Sequence, residues 1–208
     1  MTIFTKDDLA NAFAELGRIA AAAGKVIDIA VYGGSALMLV SNFRVSSEDV
    51  DAVAIADQAF INGAAQTIGR SRDWPADWLN DGVRTYLSPK IEGTVAHELF
   101  ATYPDERTPG LRVYVPTAEY LLAMKLMAMR VEAVGGKDLR DIVNLMQIVG
   151  VRNRRQIVDF AAEFYPEARI SGKLRLGIEN LWTRYQRSLV ETHEPPVYLG
   201  RSRPASEG

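Results

Sequence analysis

Hydrophobic residues recur at helical spacing near the start of the chain and predict a helix over residues 6–23. The apolar positions lie three or four residues apart, Thr5 precedes them as a candidate N-cap, and Gly24 follows as a stop. Residues 26–32 are rich in β-branched side chains and predict a strand that ends at Gly33 and Gly34. The apolar run 35–41 then predicts a short helix.

Strands and helices alternate up to Pro116, after which the apolar spacing is helical throughout. The pattern of residues 91–103 fits neither period cleanly and is interpreted as a strand. The other predicted elements are strands at 49–56, 83–87 and 111–115, a loop with one helical turn at 74–81, and helices at 57–69, 117–132, 137–149, 153–164 and 172–190.

This element order predicts an α+β fold, in which a mixed β-sheet with flanking helices is followed by a C-terminal helical lobe. We predict a first domain over residues 1–116 and a helical lobe over 117–193. The tail 194–208 contains three prolines and is predicted to be disordered. An all-helical fold is the alternative.

Composition narrows the classes of protein to consider. The 208 residues are 48% hydrophobic and 24% charged, which is typical of a globular protein, and the net charge of −2 gives no overall attraction to nucleic acid. The absence of cysteine excludes disulfides, thiolate nucleophiles and cysteine-based metal sites. We find no signal peptide and no apolar window of the roughly 20 residues that a membrane span requires. We therefore expect a soluble cytoplasmic protein that does not contact a membrane.

The candidate chemistry is concentrated in residues 33–51. Gly33 and Gly34 permit a tight turn after a strand, and the helix that follows offers free N–H groups and the Ser35 hydroxyl to a phosphate. Asp49 and Asp51 lie two residues apart, so in a strand both carboxylates project to one face and suit Mg²⁺. Taken alone, a glycine pair after a strand is usually only a tight turn. Taken alone, a pair of aspartates is more often a solvated turn or a helix cap than a metal site. Together they predict metal-assisted attack at a nucleotide phosphorus.

Lys125 is the second candidate, because it lies in an almost wholly apolar helix. A buried ammonium requires an anionic partner, which could be a triphosphate, Glu132 or Asp138; a snorkelling lysine or a structural ion pair is the alternative. Asp138 falls within the apolar stripe of the next helix and is predicted to face inward, as an active-site acid or as an N-terminal cap. Asp141 lies off that stripe and is predicted to be solvated.

Four further side chains have two interpretations each. Arg44 and Arg112 are candidates for phosphate contact or ordinary surface arginines. Trp74 and Trp78, spaced i and i+4, would either stack on a base or pack locally. The two histidines, His97 and His193, have no evident partners in the sequence and receive no role.

Gly-Gly-Ser-x-Leu followed by Asp-Val-Asp resembles the signature of the minimal nucleotidyltransferases of the DNA-polymerase-β superfamily. The resemblance extends over residues 25–150 and is greatest to the small bacterial group found in toxin–antitoxin and phage-defence loci, the AbiEii-type proteins. Three later stretches support that group: W-P-A-D-W-L-N-D at 74–81, Y-L-L-A-M-K-L at 120–126 and K-D-L-R-D-I at 137–142.

The resemblance implies a role for each matching residue. Gly33, Gly34 and Ser35 would hold the β- and γ-phosphates of a nucleoside triphosphate (NTP), and Asp49 and Asp51 would ligate two Mg²⁺ ions. Lys125 would reach the triphosphate, and Asp138 would be its acidic partner.

One feature of the superfamily is missing from the expected place. A third carboxylate usually comes from a later strand, but the predicted strand 111–115 contains no acid. Glu98 is the nearest substitute, and Glu92 is a weaker one.

The expected function is Mg²⁺-dependent transfer of a nucleoside monophosphate (NMP) from an NTP to a hydroxyl. The acceptor would be a tRNA 3′ end, a protein side chain or a small molecule such as an aminoglycoside, and the resemblance favours RNA or protein. One alternative is a catalytically weak NTP-binding module that pairs with a cognate toxin or antitoxin. The other is a helical partner-binding protein that binds no NTP.

Overall fold

The computed structural model describes residues 2–91, 96–129, 136–170, 172–191 and 194–200. Within these ranges the chain forms seven α-helices, five strands and two short 3₁₀ helices. The elements are α1 (Lys6–Ala22), β1 (Ile27–Val31), α2 (Gly33–Val40), β2 (Val50–Ala54), α3 (Gln58–Ser71), β3 (Leu79–Asn80), a 3₁₀ helix (Gly82–Tyr86), β4 (His97–Tyr103), β5 (Leu111–Pro116), α4 (Ala118–Ala128), α5 (Lys137–Ile148), α6 (Arg154–Phe164), a second 3₁₀ helix (Glu167–Arg169) and α7 (Gly172–Glu191).

The five strands form one mixed sheet in the order β3-β2-β1-β5-β4. The central strand β1 pairs antiparallel with β2 and parallel with β5, while β2 pairs parallel with β3 and β4 pairs antiparallel with β5. The predicted mixed sheet with flanking helices and a following helical region is therefore confirmed. Among the described helices, none has the length and apolar character needed to span a bilayer.

Contacts divide the chain into two compact units. The first comprises residues 1–40, 44–85 and 97–116, and the second comprises 41–43, 86–96 and 117–208. In the first unit, α1 buries the apolar stripe predicted from the sequence and contacts α3, β4 and β5. Thr5 begins α1 as predicted, because its hydroxyl oxygen accepts from the Asp8 N–H at 3.2 Å while the Asp8 carboxylate accepts from the Thr5 N–H at 2.9 Å.

Two side-chain pairs of the first unit have structural roles. The Arg112 guanidinium on β5 donates two hydrogen bonds, of 2.6 and 2.8 Å, to the Asp28 carboxylate on β1. These bonds raise the pKa of Arg112 above its ordinary value. Trp78 is fully buried, donates to the Ala65 carbonyl oxygen at 2.9 Å, and packs against Trp74 with ring centroids 5.2 Å apart. The two tryptophans thus pack locally, as one of their two interpretations predicts, whereas Arg112 forms an ion pair that the sequence pattern does not predict.

The second unit is built around α4, which is buried on nearly every side. It contacts α5 and α6, and both of those helices contact α7. The Tyr120 ring stacks on Phe164 with centroids 5.1 Å apart, and its hydroxyl accepts from the Ser88 N–H at 2.9 Å. The all-round apolar character of α4 in the sequence therefore corresponds to a central helix.

Three segments differ from the sequence prediction. Leu79–Asn80 lies in the predicted loop 74–81 but forms the strand β3, because its backbone pairs with β2. Residues 83–87 are not a strand: Gly82–Tyr86 is a 3₁₀ helix, because the Asn-Asp-Gly turn signal at 80–82 outweighs the β-branched character that follows. The predicted helix 117–132 ends at Ala128, and residues 130–132 lie outside the described ranges.

The tail was also expected to be disordered from Glu194, yet part of it is hydrogen-bonded. The Asn42 side chain accepts from the Val197 N–H at 2.8 Å and donates to the Pro195 carbonyl oxygen at 3.3 Å, and Ser41 forms a bridge with Tyr198. Asparagine can satisfy an N–H and a carbonyl at once, which fixes this short pairing. Residues 201–208 lie outside the described ranges.

Candidate functional site

The Gly33 turn and Asp51 lie together at one end of the first unit's sheet. Because β2 runs antiparallel to β1, it begins beside the point where β1 ends, and the Tyr32 N–H donates to the Asp51 carbonyl oxygen at 2.8 Å. Gly33 has φ +63°, and a Cβ atom there would lie 2.8 Å from Asp51 Oδ2. Only glycine therefore permits the carboxylate to approach the backbone this closely.

Gly34 contacts a cationic side chain in the same way. A Cβ atom at Gly34 would lie 2.8 Å from Arg44 Nη2 and 3.1 Å from Ser47 Oγ. The guanidinium is half-buried and is oriented by its Nε–H, which donates to the Ser46 carbonyl oxygen at 2.8 Å. Arg44 thus adds positive charge beside the first turn of α2, where the helix dipole is also positive, and this combination favours an anion.

Ser35 does not present its hydroxyl as the sequence predicts. The residue is 1% exposed, and its Oγ–H donates to the Tyr32 carbonyl oxygen at 2.8 Å. The same carbonyl accepts from the Ala36 N–H at 3.0 Å, so Tyr32 and Ser35 close the start of α2. In this arrangement the backbone N–H groups, and not the Ser35 hydroxyl, are the donors that the turn offers to a phosphate.

The two candidate metal ligands have different surroundings. Asp51 lies in β2 and is half-buried, whereas Asp49 is exposed in the bend before the strand. The alternation that predicted a common face for both carboxylates therefore does not apply at Asp49. Over the described residues there is no group of three or more acidic or histidine side chains placed to hold a metal ion.

The expected third carboxylate is not beside Asp51 in the described part of the chain. Glu98 lies on β4, and both β1 and β5 separate this strand from β2 in the sheet. Glu92 lies outside the described ranges.

Asn80, which has no role in the sequence analysis, is the neighbour of Asp51 on its other side. The parallel pairing of β2 and β3 places the two residues opposite each other. The Gly82 N–H donates to Asn80 Oδ1 at 2.9 Å. The sequence pattern predicts a loop with one helical turn at 74–81 and therefore no strand at Asn80.

Tyr32, the residue before the glycine turn, pairs with a histidine. The Tyr32 hydroxyl and His97 Nε2 are 2.8 Å apart, and their rings are nearly perpendicular. Burial lowers the pKa of His97 to about 4, so the imidazole is neutral near pH 7. His97 therefore has a structural contact that the sequence did not reveal, whereas His193 lies outside the described ranges.

Lys125 belongs to the second unit and is held by two carboxylates. Its Nζ lies 2.7 Å from Asp138 Oδ1 and 2.8 Å from Asp141 Oδ2. The side chains of Lys125 and Asp141 are 10% and 3% exposed, whereas that of Asp138 is 79% exposed. The predicted orientations of the two acids are therefore reversed: Asp141 is buried, and Asp138 is exposed in the first turn of α5.

Comparison with known proteins does not assign the chain to a family. No family model matches it, and no curated protein matches its sequence. Among solved structures, the chain is similar to an antigenic nucleotidyltransferase-like protein from Paracoccidioides brasiliensis, at 14% identity and a TM-score of 0.43, over 91% of this chain and 94% of that one. A functional interpretation must therefore be based on the chain's own residues.

Proposed function

We propose that the chain is a nucleotidyltransferase that moves an NMP from an NTP to an acceptor hydroxyl. The observation that carries the proposal is the juxtaposition at the Gly33–Gly34 turn. The Asp51 carboxylate lies close to Gly33, and the Arg44 guanidinium lies close to Gly34. A magnesium–triphosphate complex needs both kinds of group within a few ångströms, because it presents cationic and anionic parts together.

In this proposal the α2 turn binds the triphosphate. The backbone N–H groups of Gly33, Gly34 and Ser35 and the Arg44 guanidinium would hold its oxygens, since all of them donate and none carries negative charge. The transferred group would then lie beside Asp51, which is positioned by the Tyr32–Asp51 backbone hydrogen bond.

Asp49 and Asp51 would hold Mg²⁺. The donor set suits this ion, because Mg²⁺ prefers hard oxygens and usually combines one or two carboxylates with water and substrate phosphates. When bound, the metal would neutralise charge that develops on the phosphoryl oxygens.

Lys125 and Asp138 are proposed as a second anion-binding element. The buried Asp141 would retain the Lys125 ammonium in place, and the exposed Asp138 would be the partner that an incoming phosphate replaces. An ammonium held in this way needs little reorganisation to bind an anion.

We further propose an RNA or protein hydroxyl as the acceptor and a toxin–antitoxin or phage-defence setting in the cytoplasm, on the basis of the sequence resemblance described above. The second candidate is a catalytically weak NTP-binding module of such a pair. It is favoured by the lack of a third carboxylate near Asp51 in the described ranges.

The test is to incubate the protein with each α-labelled NTP, Mg²⁺ and cell extract, and to measure label in RNA and in protein. We expect label in one of them. We expect Asp49→Ala/Asp51→Ala to abolish it without lowering the melting temperature by more than about 2 °C, because Asp49 is exposed and Asp51 is only half-buried. The matched control, Asp77→Ala/Glu106→Ala, removes two exposed acids of the same unit and should transfer normally.

Each outcome separates the candidates. Full transfer by the Asp49→Ala/Asp51→Ala variant refutes the metal assignment. Binding of NTP by the wild-type protein without transfer to any acceptor supports the binding module instead. Neither binding nor transfer refutes both.

A further inference from the structure

Asn80 occupies a defined place beside Asp51. In the β2–β3 pairing, Asp51 is opposite Asn80 and Val50 is opposite Leu79. Laterally paired residues of a parallel ladder project to the same face of a sheet, so the carboxamide shares a face with the Asp51 carboxylate. Both residues belong to the first unit.

Gly82 sets the orientation of the carboxamide. Its N–H donates to Asn80 Oδ1 at 2.9 Å, and because a backbone N–H requires an acceptor, the carboxamide oxygen must face Gly82. The nitrogen, Nδ2, therefore faces away from Gly82, and within the described ranges the structure gives it no hydrogen bond. Asn80 is half-buried and offers two N–H groups to a ligand.

Glycine at position 82 also leaves space beside these groups. A Cβ atom at Gly82 would lie 3.0 Å from Asn80 Oδ1 and 4.0 Å from Asp51 Oδ1. Asp51 is therefore flanked by a glycine on each side, because Gly33 approaches its Oδ2. The face that carries Asp51 and Asn80 has no side chain at either glycine to obstruct a ligand.

The strand order places Gly33, Asp51 and Asn80 in a row. Gly33 follows β1, Asp51 lies on β2 and Asn80 on β3, and adjacent strands are about 4.8 Å apart. If the triphosphate tail lies on the Gly33 turn and the reacting phosphorus beside Asp51, the next group along the row is the sugar of the nucleotide.

We propose that Asn80 Nδ2 donates a hydrogen bond to a ribose hydroxyl oxygen of the bound NTP and makes the site selective for ribonucleotides. The inference rests on the proposed function, because it takes the direction of the nucleotide from the phosphate and metal assignments. A neutral hydrogen bond in a partly desolvated site changes affinity by about tenfold when one partner is removed.

The experiment is a double-mutant-type cycle, in which the ligand hydroxyl and the Asn80 side chain are removed separately and together. Dissociation constants of each NTP and of its 2′-deoxy and 3′-deoxy counterparts are measured, with Mg²⁺, for the wild-type protein and for Asn80→Asp, Asn80→Ala and Asn62→Asp. The wild-type protein should bind its preferred NTP about tenfold more tightly than one of the deoxy counterparts. In both Asn80 variants this ratio should fall to about one.

The two Asn80 variants separate ligand binding from folding. In Asn80→Asp a carboxylate oxygen still accepts from the Gly82 N–H, so the melting temperature should stay near that of the wild-type protein while the ratio is lost. Asn80→Ala removes that acceptor as well. Asn62→Asp adds the same charge at an exposed position on α3 and should leave the ratio unchanged.

A ratio that stays near tenfold in Asn80→Asp overturns the inference, as does a wild-type protein that binds NTP and both deoxy forms equally. A lower transfer rate in Asn80→Asp with an unchanged ratio also overturns it and would assign Asn80 to the acceptor hydroxyl. These results leave the proposed function standing. A wild-type protein that binds no nucleotide refutes the proposed function itself.

Discussion

Replacing Asp141 by asparagine should destabilise the protein far more than the same change at Asp138. Both carboxylates lie within 2.8 Å of Lys125 Nζ, but the Asp141 side chain is 3% exposed and that of Asp138 is 79% exposed. Removing one partner of a buried ion pair costs roughly 3–5 kcal/mol, because the remaining charge is left without compensation. Exposed pairs contribute roughly 0.2–1 kcal/mol.

Asp138 remains beside Lys125 in the Asp141→Asn variant, which places the expected loss near the lower limit, at about 3 kcal/mol. For a chain of 208 residues, each 1 kcal/mol lowers the melting temperature by roughly 2–4 °C. Asp141→Asn should therefore melt roughly 6–12 °C below the wild-type protein, and Asp138→Asn at most about 4 °C below it.

The assay is thermal unfolding followed by circular dichroism. A double variant, Lys125→Met/Asp141→Leu, provides the control, because replacing both buried charges by apolar groups removes their desolvation cost and is often close to neutral. The reasoning is wrong if Asp141→Asn and Asp138→Asn lower the melting temperature equally, or if the double variant is less stable than Asp141→Asn alone.

Three further predictions concern the first unit and the tail. Gly33→Ala should cost roughly 1–2 kcal/mol of stability and abolish nucleotide binding, because φ is +63° and the new methyl group meets Asp51 Oδ2. The matched change Gly63→Ala lies in a helix with no atom near the new methyl group and should not destabilise the protein. Calorimetry measures the stability and the nucleotide binding of both variants. The pKa of His97 falls from 6.5 to about 4 on folding, so the unfolded chain binds more protons than the folded chain between these pH values. The free energy of unfolding should therefore decrease as the pH falls from about 6.5 towards 4. His97→Gln should flatten that dependence in melting curves recorded at several pH values, and an unchanged slope would contradict the reasoning. Asn42→Ala removes the side-chain bonds to Pro195 and Val197 and should speed cleavage of the tail in limited proteolysis; equal cleavage rates would show that the backbone pairing suffices.

Local sequence signals predicted the Gly33–Asp51 juxtaposition because all its determinants lie close together in the chain. A β-branched strand, a glycine pair, an apolar helix and a second strand leave few possible arrangements, and β1 and β2 pair directly. The sequence could not predict the hydrogen-bond partner of each side chain. The Ser35 hydroxyl donates a hydrogen bond to the Tyr32 carbonyl oxygen, and this bond forms only because α2 begins where it does.

Helical periodicity predicts the burial of Asp138 and Asp141 the wrong way round. It places Asp138 within the apolar stripe of α5 and Asp141 off it, whereas Asp141 is the buried acid because it pairs with the buried Lys125 on α4. Asn80 was missed for a related reason. Its significance comes from a two-residue pairing with β2, which is too short to produce a strand pattern.

The antiparallel β1–β2 pairing determines where the backbone can be interrupted. The glycine turn and the Asp51 carboxylate are joined by one continuous stretch, residues 27–54, which includes both strands and α2. The turn at residues 105–108, between β4 and β5, is exposed and lies outside that stretch. A reporter domain inserted there, or a circular permutation that opens the chain there, would leave the stretch 27–54 covalently intact.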